Sequence, residues 1–102
     1  MKQKTNRIDD KDASGKILEY LLRINSEGKN GSTIYEIKNK AFSESSVQKE
    51  DRVKKILVTL VEKKYVEFSA WGEKMVTFYS ITEEGKLFYY EKLKAVLDLF
   101  KK

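Results

Sequence analysis

From Ser45 to Lys64 the apolar residues Val53, Ile56, Leu57, Leu60 and Val61 recur at intervals of three and four, so one face of a helix packs inward. Gln48, Asp51, Arg52, Lys55 and Thr59 then project away from that stripe and are available to a partner. At Tyr65, Val66 and Phe68 the pattern becomes strand-like, and the run YVEFSA, WGEK, MVTFYSI predicts two strands joined around Gly72. Both faces of the second strand carry apolar residues: Thr77, Tyr79 and Ile81 on one, Val76 and Phe78 with Ser80 on the other. One of them meets the helices.

Upstream, Ala13, Ile17, Leu21 and Ile24, widened by Leu18, Tyr20 and Leu22, predict a first helix with Asp12 or Ser14 as its cap. Asn25, Ser26 and Gly28 end it. Thr33 followed by Glu36 has capping-box spacing, and Ile34, Ile37 and Ala41 mark a short second helix ending near Phe42. Ser45 and Gln48 repeat that spacing, which starts the third helix there or slightly later. Thr82 caps a last helix, with Glu83 and Glu84 in its first turn and Gly85 permitting close backbone approach.

In that last helix Tyr90, Leu93, Leu97 and Phe100 alternate spacings of three and four, and Leu87, Tyr89, Val96 and Leu99 add apolar surface beside them. This is more than one small core needs, so a homodimer held through Tyr90, Leu93, Val96, Leu97 and Phe100 is expected. The chain divides into an arm (1–11), a core domain (12–82) and a dimerisation helix (83–102). The arm is either a frayed terminus or a basic extension that follows a DNA groove.

Composition narrows the chemistry. The 102 residues suit one domain, and the absence of cysteine and histidine removes thiolate sites, the usual zinc ligands and the usual general base. No phosphate-cradling glycine loop and no nucleophile with a base is present, so neither an enzyme nor a cofactor is expected. Asp9, Asp10 and Asp12 read as a solvated cluster rather than a metal site. No apolar run suits a membrane span or a signal peptide, and a cytoplasmic location follows as the expectation. A net charge of +5 and a pI near 9.3 favour a polyanionic partner, a nucleic acid with double-stranded DNA the expected one, over the alternative of a lysine-rich solvated surface that gives a similar balance.

The chain has only three arginines, Arg7, Arg23 and Arg52. Arg52 is therefore the first candidate for guanine readout, its alternative being an ion pair with Glu50, Asp51 or a neighbouring element. Lys49, Lys54 and Lys55 suit phosphates better than bases, with Lys54 further round the helix. Trp71, beside the turn glycine, either stacks on sugar and base or packs against a dimer partner. Lys74 shares the tip of the hairpin with Glu73.

The order of helices and hairpin, with YSITEEGK at Tyr79–Lys86 and VKKILVTLVEKKYVEF at Val53–Phe68, resembles winged helix-turn-helix proteins of the MarR and PadR type. Small archaeal regulators from chromosomes, plasmids and viruses look similar in size and lysine content. The resemblance implies an α+β fold, a three-helix core with a two-stranded wing and a C-terminal dimerisation helix. It also implies that the third helix enters the major groove, with Ser46, Gln48, Lys49, Arg52 and Lys55 toward DNA and Lys74 at the wing tip. Thr59 and Trp71 complete the candidate DNA-binding set. The expected function is that of a dimeric transcriptional regulator, with an effector undetermined. The alternatives are an architectural or plasmid-partition protein that spreads on DNA, and a protein-binding module of the same fold.

Overall fold

A computed structural model of the chain describes residues 10–42 and 49–93. Helix α1 spans Asp10–Ser26, two residues ahead of the expected Asp12 cap. Asp10 and Asp12 occupy its first turn, where carboxylates complement the helix dipole, so Asp12 and Ser14 serve inside the helix rather than as its cap. Its buried stripe is Ala13, Ile17, Leu18, Tyr20, Leu21 and Ile24. Helix α2, Ile34–Lys40, starts with the expected capping box: the Thr33 hydroxyl accepts from the Glu36 amide, and the Glu36 carboxylate accepts from the Thr33 amide.

Helix α3 spans Glu50–Glu62 and begins later than Ser45. Lys49 is its N-cap, with extended dihedrals (φ −66°, ψ 147°) and no side-chain cap bond. Glu50 and Asp51 in the first turn supply the favourable charge instead. The Ser45–Gln48 start signal lies outside the described residues. At the other end Lys64 adopts a left-handed conformation (φ 69°), which lets the Tyr65 amide reach back to the Leu60 carbonyl at 3.0 Å and closes the helix.

Strands β1 (Val66–Trp71) and β2 (Val76–Ile81) pair antiparallel, with Val66 opposite Ile81 and Trp71 opposite Val76. Gly72–Met75 form the connection, and Gly72 holds the positive φ (78°) that the turn requires. A third, one-residue strand lies on the far side of β2, where Ser32 and Tyr79 exchange both amide bonds at 2.9 and 2.8 Å. No periodicity announces it, because a single paired residue between turns has no period.

Helix α4 spans Glu83–Phe88 and runs into one π turn, Tyr89–Leu93. Thr82 caps it as expected, accepting from the Gly85 amide at 2.9 Å. The same hydroxyl donates to the Lys64 carbonyl at 2.6 Å, so one side chain ties the end of α3 to the start of α4. Tyr65 and Phe88 stack at 4.3 Å between ring centres beside this junction. Tyr89 is buried and its hydroxyl donates to Glu19 of α1 at 3.2 Å.

The core joins α1 to Ile37, Val53, Ile56, Leu57, Leu60, Val66, Ile81 and Tyr89, so every element contributes to one interior. A polar chain crosses it. Ser32, fully buried, donates to the Glu36 carboxylate at 3.1 Å, and because that carboxylate only accepts, Tyr20 must donate to Ser32 across their 2.9 Å contact. Lys29 closes the network on the other carboxylate oxygen at 3.3 Å.

These contacts hold the Glu36 carboxyl below the usual carboxylate range: the Thr33 amide contributes most, and the Ser32 hydroxyl and Lys29 act in the same direction against partial burial. The unfolded chain therefore binds this proton more readily than the folded one. Glu36 contributes stability above the ordinary glutamate pKa of about 4.3, and that contribution is lost as pH falls through its lower folded value. Glu36→Gln is accordingly expected to flatten the acid limb of stability against pH, read by urea unfolding, whereas an unchanged limb would exclude this role.

Candidate nucleic-acid interface

Because Val53, Ile56, Leu57 and Leu60 are buried, the opposite side of α3 is fixed as an outward surface. Asp51, Lys54, Lys55, Val58, Thr59 and Glu62 are all exposed there. Lys55 and Thr59 stand where the helical register places them, and the Thr59 hydroxyl donates back to the Lys55 carbonyl at 3.3 Å. Lys49 is exposed immediately before the helix. Lys54 shares the open surface despite its position further round. Behind α3, helix α2 packs across it and exposes Tyr35, Asn39 and Lys40.

Arg52 differs from the lysines. Its side chain is only 16% exposed, and one guanidinium nitrogen lies 2.8 Å from the carboxylate of Asp10, whose side chain is 83% exposed. Of the two roles open to Arg52, the structure realises the ion pair, and the partner is the first residue of α1 rather than Glu50 or Asp51. The Arg52 side chain is largely covered, and the pair joins the starts of the two helices.

Two exposed residues escaped the sequence reading. Val58 is 52% exposed in the middle of the polar face, and Tyr35 is 71% exposed on α2. For Val58 a signal existed: five residues after Val53 is well off the i, i+3, i+4 stripe, so it cannot share the buried face. Tyr35 sits between the buried or half-buried Ile34 and Ile37, and its outward direction follows from the same geometry.

In the hairpin, Lys74 and Met75 are exposed at the turn, and Trp71 is the last residue of β1, opposite Val76. The connection thus presents one lysine beside Glu73 and an exposed methionine. On the last helix Leu87 and Tyr90 are 58% and 53% exposed, and Leu93 ends the π turn. Ser46, Gln48, Val96, Leu97 and Phe100 lie outside the described residues. A shallow groove of about 380 Å³ runs along Val61, Lys64, Val66, Phe68 and Thr82, and shares none of the outward residues of α3 named above. Among the described residues no three acidic side chains group as a metal site, and no helix is long and apolar enough to cross a membrane.

No protein-family model matches the chain, and no curated protein does. Solved structures do. A transcriptional regulator from Clostridium thermocellum is 26% identical over 88% of this chain and 90% of its own, with a TM-score of 0.65. A protein of Archaeoglobus fulgidus is 20% identical over 89% and 90%, with a TM-score of 0.65. One from Thermoplasma acidophilum is 22% identical over 90% and 85%, with a TM-score of 0.69. The likeness covers nearly the whole of each chain, helices and hairpin together, and the α+β winged helix-turn-helix architecture implied by the sequence is the architecture of this protein.

Proposed function

We propose that this chain is a DNA-binding transcriptional regulator that reads the major groove with α3. The observation that carries the reading is the outward face of α3: one side is locked into the core by Val53, Ile56, Leu57 and Leu60, while Lys54, Lys55 and Thr59 remain exposed. A helix about 10–12 Å across fits a major groove about 12 Å wide. The likeness to a transcriptional regulator of Clostridium thermocellum supports the same reading.

In this account Lys49, Lys54 and Lys55 neutralise phosphates and Gln48, Ser46 and Thr59 lie near base edges, while Arg52 approaches DNA only when its pairing with Asp10 permits. Lys74 reaches the flanking backbone from the wing, beside Trp71. A homodimer would set two copies of α3 about 34–36 Å apart on a partly palindromic site. Leu87 and Tyr90, exposed on α4 and its π turn, lead toward the apolar positions Val96, Leu97 and Phe100 that would complete the contact. Sedimentation at micromolar concentration should give the dimer mass, and a monomer there would remove the two-half-site geometry.

A second reading, a protein-binding winged helix, is favoured by the exposed Tyr35 and Val58 and by the charge balance of α3. Glu50, Asp51 and Glu62 equal Arg52, Lys54 and Lys55 in number. Selection of duplexes from a random pool separates the two: enrichment of a short shared sequence supports the regulator, enrichment of none supports the alternative. Retention of every sequence alike would indicate a protein that spreads on DNA.

A further inference from the structure

We propose that the shallow groove between the end of α3 and strand β1 receives residues 94–102 of a second copy of this chain. The inference rests on the homodimer reading and assigns the place on the partner where that segment docks. The floor of the groove is apolar: Val66 is buried, Val61 is half-buried, and Phe68 remains 59% exposed. A phenylalanine left open to that extent gains little from the apolar effect until something covers it. The rim carries Glu67 and Glu84 against Lys64, two carboxylates to one ammonium on a chain whose net charge is +5.

Residues 94–102 match this surface in both respects. Their sequence, KAVLDLFKK, offers Val96, Leu97, Leu99 and Phe100 to the floor and Lys94, Lys101 and Lys102 to the acidic rim, with Asp98 as the single acid.

Geometry selects the copy. Helix α4 starts at the groove, where Thr82 is both its cap and a lining residue. At about 1.5 Å per residue it carries Leu93 about 15 Å away, so the chain's own continuation would have to reverse to return. A second copy needs no reversal. Leu87 and Tyr90, 58% and 53% exposed, are the large apolar side chains open on α4 and its π turn, while Gly85 and Tyr89 are buried. Two copies related by a two-fold axis perpendicular to α4 cross antiparallel with Leu87 of each opposite Tyr90 of the other. The partner's Leu93 then comes opposite Glu84, and the residues after it pass Thr82 and run out over the groove. A parallel pairing would set Glu83, 86% exposed, against its own copy, whereas the antiparallel crossing sets it against the partner's Lys94. Each copy gives one segment and receives one.

The chain has no cysteine, so the contact can be trapped between copies. Phe68→Cys protein mixed with Phe100→Cys protein, or with Leu97→Cys, should give on mild oxidation with copper phenanthroline a disulfide-linked pair of one chain of each, in excess over either variant alone. Phe68→Ser should weaken the dimer about tenfold in sedimentation equilibrium, the effect of truncating one interface aromatic. Circular dichroism should stay unchanged, because that side chain is exposed. Reversing the rim with Glu67→Lys and Glu84→Lys should weaken the dimer about fivefold, and adding Lys101→Glu and Lys102→Glu should restore it.

A link that forms only within single chains carrying both Phe68→Cys and Phe100→Cys, and persists at high dilution, would overturn the proposal in favour of the chain's own segment. Unlinked mixtures with a Phe68→Ser dimer of unchanged strength would overturn it as well and move the association to another face. A wild-type protein that stays monomeric at micromolar concentration is a separate result, which removes the homodimer reading, and this inference with it, and leaves the groove to a different protein.

Discussion

Gly85→Ala is expected to destabilise the protein by about 3 kcal/mol, even though alanine is the better helix former by about 1 kcal/mol. A Cβ at this position would overlap the Tyr65 carbonyl oxygen and stand 2.8 Å from the Ile81 side chain. Backbone cannot swing aside as a flexible side chain does, so α4 would have to lift from the end of β2. That movement would also strain the Thr82 hydroxyl, which bonds both the Gly85 amide and the Lys64 carbonyl. Since 1 kcal/mol moves the midpoint of a domain this size by about 4–8 °C, the melting temperature should fall by more than about 10 °C. A rise in melting temperature would show that propensity outweighs packing and that the close approach is wrong.

Reversing both lysines of the outward face, Lys54→Glu with Lys55→Glu, is expected to abolish duplex binding at physiological salt while leaving the fold intact. Both side chains are exposed and contribute nothing to the core, so thermal stability should change little. Each lost phosphate contact removes about 0.9 from the salt slope, and each introduced carboxylate repels the backbone in addition. Changing Lys55 alone should weaken all sequences similarly, because lysine is a point charge without the planar fork that distinguishes guanine. Circular dichroism and anisotropy on one preparation check both halves. Retained binding by the double variant would move the interface away from this face.

The two effects read different parts of the sequence, and they were legible to different degrees. Gly85 and Thr82 could be placed because a cap followed by a glycine three residues later has few other uses at a helix start. Thr33 and Glu36 were equally transparent, and the structure shows both hydrogen bonds of their box. The stripe of α3 fixed which residues face outward. Its starting residue was less sharply marked: the Ser45–Gln48 spacing puts the start there or slightly later, and the helix begins at Glu50 after an extended Lys49.

Arg52 shows where sequence reasoning stops. Its rarity pointed to DNA, and its alternative role as an ion-pair partner was foreseen, but Asp10 lies 42 residues away and no periodicity connects them. The Ser32 bridge to Tyr79 was hidden for the same reason: the ion pair depends on how α1 meets α3, and the bridge on how the connection after α1 meets the hairpin. Tertiary pairs of this kind are set by packing, which the pattern of any one element does not carry.

The most direct test of the central claim is the binding of the wild-type protein to a duplex at low and at physiological salt, followed by anisotropy. If α3 and its lysines grip the phosphate backbone, log K falls linearly with log salt, with a slope of at least about −2.7 for contacts from Lys49, Lys54 and Lys55. A slope near zero, or no binding even at low salt, would contradict the account and leave the outward face of α3 to a protein partner.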